Sequence, residues 1–259
     1  MNQKKATIKD IKNQLSKEET LSEEYLTHLR QDSRKGVQQA LKSWDLKQAK
    51  KKALLEQFIR MQQYEKKARQ NGYSTIAGID EVGRGPLAGP VVSAAVILPE
   101  TTQLIGLNDS KQLSQKDRVY WAEQIKEQAV AVSVSVVSAS DIDRLNIYEA
   151  TRVSMKTAVE GLEVKPDYLL IDAMTIDSSI PQERLIKGDA KSLSIAAASI
   201  IAKVTRDKLM EEYAVTYPHY GFERNAGYGT KDHLDGLKEF GATPIHRHSF
   251  RPVKDVLTK

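Results

Sequence analysis

Hydrophobic positions follow two different rhythms along the chain. Over roughly the first seventy residues they recur at helical spacing. Ile8, Ile11 and Leu15 share one face, as do Tyr25, Leu26 and Leu29, then Val37, Leu41 and Trp44; Leu54, Leu55, Phe58, Ile59 and Tyr64 continue the pattern. Thr20 with Glu23 forms a capping-box pattern ahead of the second group, Ser33 is placed to cap a longer helix, and Asn71-Gly72 supplies the stop. Beyond that stop, short apolar runs alternate with helical stretches. Strands are predicted at Ile76–Asp80, Pro90–Leu98, Val130–Val137 and Tyr168–Asp172, with a weaker one at Arg184–Ile186. Helices are predicted from Ser114 to Lys126, from Ser140 to about Gly161, over about Ser192–Tyr213, and over Thr230–Phe240. This order predicts an α/β domain whose mixed sheet is flanked by helices, preceded by an α-helical extension.

Composition sharpens the division. Residues 1–70 carry 17 Lys and Arg against 9 Asp and Glu, whereas the remainder carries 22 against 25. All eight prolines and 13 of the 14 glycines also lie beyond residue 70. The expected organisation is a basic helical extension, residues 1–72, and a domain over 73–259 long enough to fold alone. The basic residues are spread around the helices, as on solvated faces, although a basic arm also raises affinity for a polyanion. Cysteine is absent, which removes thiol nucleophiles and thiolate metal sites and fits a reducing cytoplasm. No apolar run is long enough for a membrane span, and no leader pattern is visible at the start of the sequence. A metal here must be held by oxygen or imidazole, which favours Mg2+ or Mn2+.

Candidate chemistry gathers at strand ends. Asp80 closes the run TIAGID and is followed by Glu81; Asp172 closes YLLID; Asp189 follows Lys187-Gly188. Carboxylates at the carboxyl ends of neighbouring parallel strands would converge, and their repulsion would leave one of them protonated unless a divalent cation relieved it. Each Asp alone also fits a plain loop-capping role, and Asp189 fits the N-cap of the helix after it. Alternation sends Asp80 and Glu81 to opposite faces, so both reach one metal only if the strand ends there, which Gly83 and Gly85 permit. Arg84 between those glycines offers a planar fork for phosphate. The five histidines stand away from the Asp motifs; His246 and His248 are close enough in sequence to share a metal, but a structural role suits them better.

Six segments in order resemble type 2 ribonuclease H, ribonuclease HII: AGIDEVGRGPLAGPVVSAAVILP (77–99), LNDSKQLS (107–114), YLLIDA (168–173), KGDAKSLSIAAASIIAKVTRD (187–207), GYGTKDH (227–233) and PIHRHSF (244–250). The resemblance covers about residue 74 to the end. It implies a ribonuclease H-like fold, a five-stranded mixed sheet in which the Asp80 and Asp172 strands lie side by side. It implies an active site of Asp80, Glu81, Asp172 and Asp189 holding Mn2+ or Mg2+, and metal-dependent cleavage of the RNA strand of RNA–DNA hybrids. Cutting on the 5′ side of ribonucleotides embedded in duplex DNA is part of the same implication, leaving 3′-hydroxyl and 5′-phosphate ends. Gly83-Arg84-Gly85 is similar to the element that reads the ribose 2′-hydroxyl, and Tyr228 matches the tyrosine that contacts the sugar at the RNA–DNA junction. Read alone, that triplet is also a simple glycine turn and Tyr228 a core tyrosine. Asn108, Lys111 and Lys203 are candidates for backbone or phosphate contact, Lys203 being equally readable as a surface lysine. Three rivals remain: a ribonuclease HIII-like enzyme, against which Arg84 and Asp189 speak; a non-catalytic duplex-binding protein of the same fold; and a DNA-cleaving recombination nuclease.

Overall fold

The computed structural model describes residues 6–17, 21–108, 110 and 113–258. The chain divides into two compact units, Met1–Gln57 and Phe58–Lys259. In the first unit, helices α1 (Ile8–Lys17), α2 (Glu23–Arg30) and most of α3 (Lys35–Met61) bury the apolar stripes read from the sequence. Ile11, Leu15, Leu26, Leu29, Val37 and Leu41 form its core. Helix entries differ in detail from expectation. Ser22 caps α2 by accepting the Tyr25 N–H at 3.2 Å, and the Thr20 of the expected capping box lies outside the described residues. Before α3 it is the Asp32 carboxylate that takes the Arg34 N–H, at 2.9 Å, rather than Ser33 that caps. Leu54, Leu55, Phe58 and Ile59 continue α3, which runs unbroken to Met61.

The second unit opens with the end of α3 and with α4 (Gln63–Gln70), closed by Asn71 and by Gly72 at φ +93° as the sequence indicated. Five strands follow: β1 (Ile76–Val82), β2 (Val91–Ile97), β3 (Ala131–Val137), β4 (Tyr168–Asp172) and β5 (Gln182–Leu185). They form one sheet in the order β3-β2-β1-β4-β5, with β1 parallel to β4 and β4 parallel to β5, while β1–β2 and β2–β3 are antiparallel. The sheet is therefore mixed and five-stranded. Intervening helices are α5 (Gln115–Gln128), α6 (Ala139–Leu145), α7 (Ile147–Glu160) and α8 (Leu193–Thr216), with α9 (Phe222–Asn225), α10 (Lys231–Phe240) and α11 (Arg251–Leu257) after them. The single helix expected from Ser140 is two, because Asn146 adopts φ +67° and its side chain caps α7 through the Tyr148 and Glu149 N–H groups.

Period-two alternation divides the core. Val92, Ala94 and Val96 of β2 face α5 and α8, where Ala196, Ala197, Ile200 and Ile201 pack against them. Ala77, Ile79, Ala95, Ile97, Leu169 and Ile171 face α7 and pack on Met155, Ala158 and Val159. Gly78 and Asp80 pair with Val96 and Ala94, so they share the α8 side. A Cβ on Gly78 would lie 2.1 Å from the Ser194 carbonyl carbon, so only glycine lets the start of α8 sit directly on β1. That close approach fixes where α8 stands relative to Asp80, two residues further along the strand.

Candidate active site

The parallel ladder between β1 and β4 ends at the pair Ile79–Ile171. The next residues of the two strands are Asp80 and Asp172, so both carboxylates leave the sheet at the same edge. Carboxylate oxygens of Asp80, Glu81 and Asp172 lie within 4.8 Å of one another. Strand β1 does not stop at Glu81, contrary to the condition set from alternation; it continues to Val82, paired only with β2. Convergence is instead possible because β4 ends at Asp172, leaving the flank of β1 open beside Asp80 and Glu81.

Asp80 is 5% exposed and accepts the Glu81 N–H at 2.8 Å. Burial, with Glu81 and Asp172 close by, pushes its carboxyl well above the usual carboxylate range, against hydrogen bonds from Ser199 and the Glu81 amide. Burial and Asp172 push Glu81 up to about 7, although Arg84, 3.6 Å away, pulls the other way. The second oxygen of Glu81 is buried with no hydrogen-bond partner. Such a group is costly as it stands, and the cost is removed by a cation among the three carboxylates. An all-oxygen donor set of this kind fits a hard divalent ion.

Asp189 is buried at 6% exposure but is not one of the three converging carboxylates. It lies in a single 3-10 turn, Gly188–Ala190, whose Gly188 N–H donates to Asp172 Oδ1 at 2.6 Å. Its N-cap reading is displaced, since Ser192 caps α8 by accepting the Ile195 N–H at 3.2 Å.

The Gly83-Arg84-Gly85 loop leaves the sheet after Val82, one residue beyond the acidic pair. Gly83 has φ +96°, and a Cβ there would fall 2.3 Å from Arg206 Nε. A Cβ on Gly85 would lie 3.4 Å from the Tyr228 ring, which places that half-exposed ring beside the loop. Two arginines not singled out from the sequence hold the loop from below, both fully buried. Arg206 donates to the carbonyls of Pro90, Ala88 and Ala226. Arg247 donates to those of Gly83, Arg84 and Gly89 at 2.5, 2.9 and 2.9–3.0 Å. An irregular loop cannot satisfy its carbonyls through a ladder, and planar guanidinium forks do so here. Both arginines fall inside quoted motifs, KVTRD and PIHRHSF, which was the available signal.

The remaining candidates are spread around this centre. Asn108 is half-buried in the loop before α5. Ser110 of that loop meets Ser199 of α8, hydroxyl to hydroxyl at 3.0 Å, and Arg118 donates to the Ser110 and Leu113 carbonyls. Lys111 lies outside the described residues. Lys203 is bound along α8 to Asp207 at 2.7 Å. His246 pairs not with His248 but with His233, Nε2 to Nε2 at 3.0 Å. Thr243 N–H donates to His246 Nδ1, so His246 donates through Nε2 to His233 Nε2, and His233 donates through Nδ1–H to the Tyr228 carbonyl. This buried chain of neutral imidazoles is structural, and it ends on the residue that flanks the loop.

A family model described as Ribonuclease HII matches residues 77–253, and one described as Ribonuclease HII N-terminal domain matches residues 7–69. A curated relative named Ribonuclease HII from Enterococcus faecalis is 56% identical over 98% of this chain and 99% of its own length. Among solved structures, the ribonuclease H2 of Pyrococcus horikoshii is 27% identical and aligns with a TM-score of 0.62 over 70% of this chain and 96% of its own. A Bst-RNase HIII solved in complex with Mn2+ aligns at a TM-score of 0.55 over 74% of this chain and 71% of its own, with 21% identity, a likeness of fold.

Proposed function

The chain belongs to the ribonuclease HII family of type 2 ribonucleases H, and from this premise we propose that it cleaves RNA–DNA hybrids and cuts 5′ to ribonucleotides embedded in duplex DNA. Asp80, Glu81, Asp172 and Asp189 would hold Mg2+ or Mn2+. When bound there, divalent ions supply an activated water and neutralise the leaving oxygen of an in-line displacement. The new bond joins water oxygen to phosphorus, the bond to the 3′ oxygen breaks, and 3′-hydroxyl and 5′-phosphate ends result. Asp80 and Glu81 supply oxygens from the end of β1, and Asp172 holds its orientation through the Gly188 amide. In this reading Gly83-Arg84-Gly85 bring backbone against the ribose, Tyr228 meets the sugar at the junction, and Asn108, Lys111 and Lys203 face the phosphate backbone. Residues 73–259 would carry catalysis, with 1–72 a basic extension and the cytoplasm the site of action.

The observation that carries the reading is the meeting of three carboxylates near the carboxyl ends of two adjacent parallel strands, with the Gly-Arg-Gly loop following β1. The test is a DNA duplex containing one ribonucleotide, incubated with Mg2+ or Mn2+ beside an all-DNA control. A single cut 5′ to the ribonucleotide, absent with Asp172→Asn, is expected. Equal cutting of all-DNA would overturn ribose selection, and an uncut substrate would leave the non-catalytic duplex-binding reading in its place.

A further inference from the structure

We propose that Glu65, on helix α4 ahead of the sheet, is a positioning residue for the metal site; this rests on the reading of Asp80, Glu81 and Asp172 as that site. Glu65 is 6% exposed and lies 127 and 129 residues from its partners, Ser192 and Ser194. One of its oxygens, Oε1, accepts from Ser192 Oγ at 2.6 Å, from the Ser194 N–H at 3.0 Å and from Ser194 Oγ at 2.5 Å. The first N–H groups of any helix lack intrahelical partners. At the entry of α8 the Ser194 amide is served by Glu65, and Ser192, itself held by Glu65, serves the Ile195 amide.

Two physical routes run from this cap to the carboxylates. Along the first, the Ser192 N–H donates to the Gly188 carbonyl at 2.8 Å and the Gly188 N–H donates to Asp172 Oδ1 at 2.6 Å, with Asp189 between them in sequence. There is no slack in this turn, since a Cβ on Gly188 would lie 2.7 Å from Ile195 Cδ1 and 3.2 Å from Asp172 Oδ1. Along the second, Ser194 sits against Gly78 so closely that a Cβ would meet its carbonyl carbon at 2.1 Å. Asp80 is the next residue on that same face of β1. Glu65 therefore sets the seat of α8 on β1 and the seat of the 188–190 turn on β4, the two strands whose ends hold the cluster. Groups behind metal ligands typically alter metal affinity roughly 10- to 100-fold when removed.

A plain helix staple would cost stability and leave metal binding alone, so the two roles separate experimentally. Mn2+ affinity of the full chain is measured by titration with electron paramagnetic resonance, beside thermal melting. Glu65→Ala should weaken Mn2+ binding about tenfold, while Glu65→Gln, which keeps an accepting oxygen, should stay within about twofold of wild type. Val159→Ala, a core truncation on α7, should lower the melting temperature without moving Mn2+ affinity. Should Glu65→Ala fail to fold, Glu65→Asp, which withdraws the carboxylate by one methylene, replaces it and should bind Mn2+ more weakly than wild type. Wild-type affinity in the truncated variant, or an equal loss in Val159→Ala, overturns the proposal. Failure of the site reading looks different: Asp172→Asn would then bind Mn2+ as tightly as wild type.

Discussion

Glu81→Gln should make the metal-free protein more stable while abolishing its activity. In the fold the Glu81 carboxyl, raised by burial and by Asp172 against the pull of Arg84, holds its proton up to about pH 7, whereas in the unfolded chain it ionises near 4.5. The folded state binds the extra proton between those values, so stability is full below about 4.5 and is lost as pH rises through about 7. At roughly 1.4 kcal/mol per pH unit the loss amounts to about 3 kcal/mol above pH 7. Glutamine has the same shape and no charge, and it forgoes only the 3.6 Å pair with Arg84, which is worth under about 1 kcal/mol. Urea unfolding at pH 8 with chelator should therefore place Glu81→Gln about 2–3 kcal/mol above wild type, and the gap should close near pH 4. Adding Mg2+ should stabilise wild type selectively, because in the proposed site the ion would bind only the folded arrangement of the carboxylates. Equal stabilities at pH 8 with chelator, or a gap indifferent to pH, would refute the picture of a cluster strained by its own charge.

Other consequences are spread over the fold. Arg247→Met should cost about 3 kcal/mol by orphaning the carbonyls of Gly83, Arg84 and Gly89, and the surviving activity should discriminate less between ribo- and all-DNA duplexes. Burial, together with His233, pulls His246 down to about 4 from 6.5. The unfolded state therefore binds the extra proton in that window, and wild type should lose up to about 3 kcal/mol as pH falls through it. His246→Gln should flatten that decline in urea titrations run with Mg2+ present, and an unchanged slope would count against the neutral imidazole pair. A chain without residues 1–57 should bind a hybrid duplex less tightly at low salt and equally at high salt if the basic helices touch phosphate; parallel salt plots would return them to another role.

Local chemistry was well legible in the sequence. TIAGID and YLLID announced strands that carry carboxylates toward their carboxyl ends, although β1 runs two residues past Asp80, and Ser114, Ser192 and Thr230 capped helices near where the pattern put them. That the Asp80 and Asp172 strands lie side by side was implied by the family resemblance; the ladder shows them neighbouring and parallel. What escaped was long-range and buried. A lone glutamate on a polar helix gives no sign that it will meet two serines 127 and 129 residues away. Arg206 and Arg247 sit inside recognised motifs, but nothing in those motifs shows that both side chains are fully buried against loop carbonyls. Asn146 broke an expected helix because a single left-handed residue that caps its successor competes with a continuous apolar stripe. The convergence of Asp80 with Glu81 depends on β4 ending before β1 does, a fact about two strands that neither run contains alone.

The most direct test of the central claim is an anomalous-scattering map from crystals of the full chain grown with Mn2+. The account predicts a peak bonded to oxygens of Asp80, Glu81 and Asp172 in wild type and its loss in Asp172→Asn. Mn2+ found elsewhere with those three carboxylates left bare, or a peak unchanged in the variant, would contradict it.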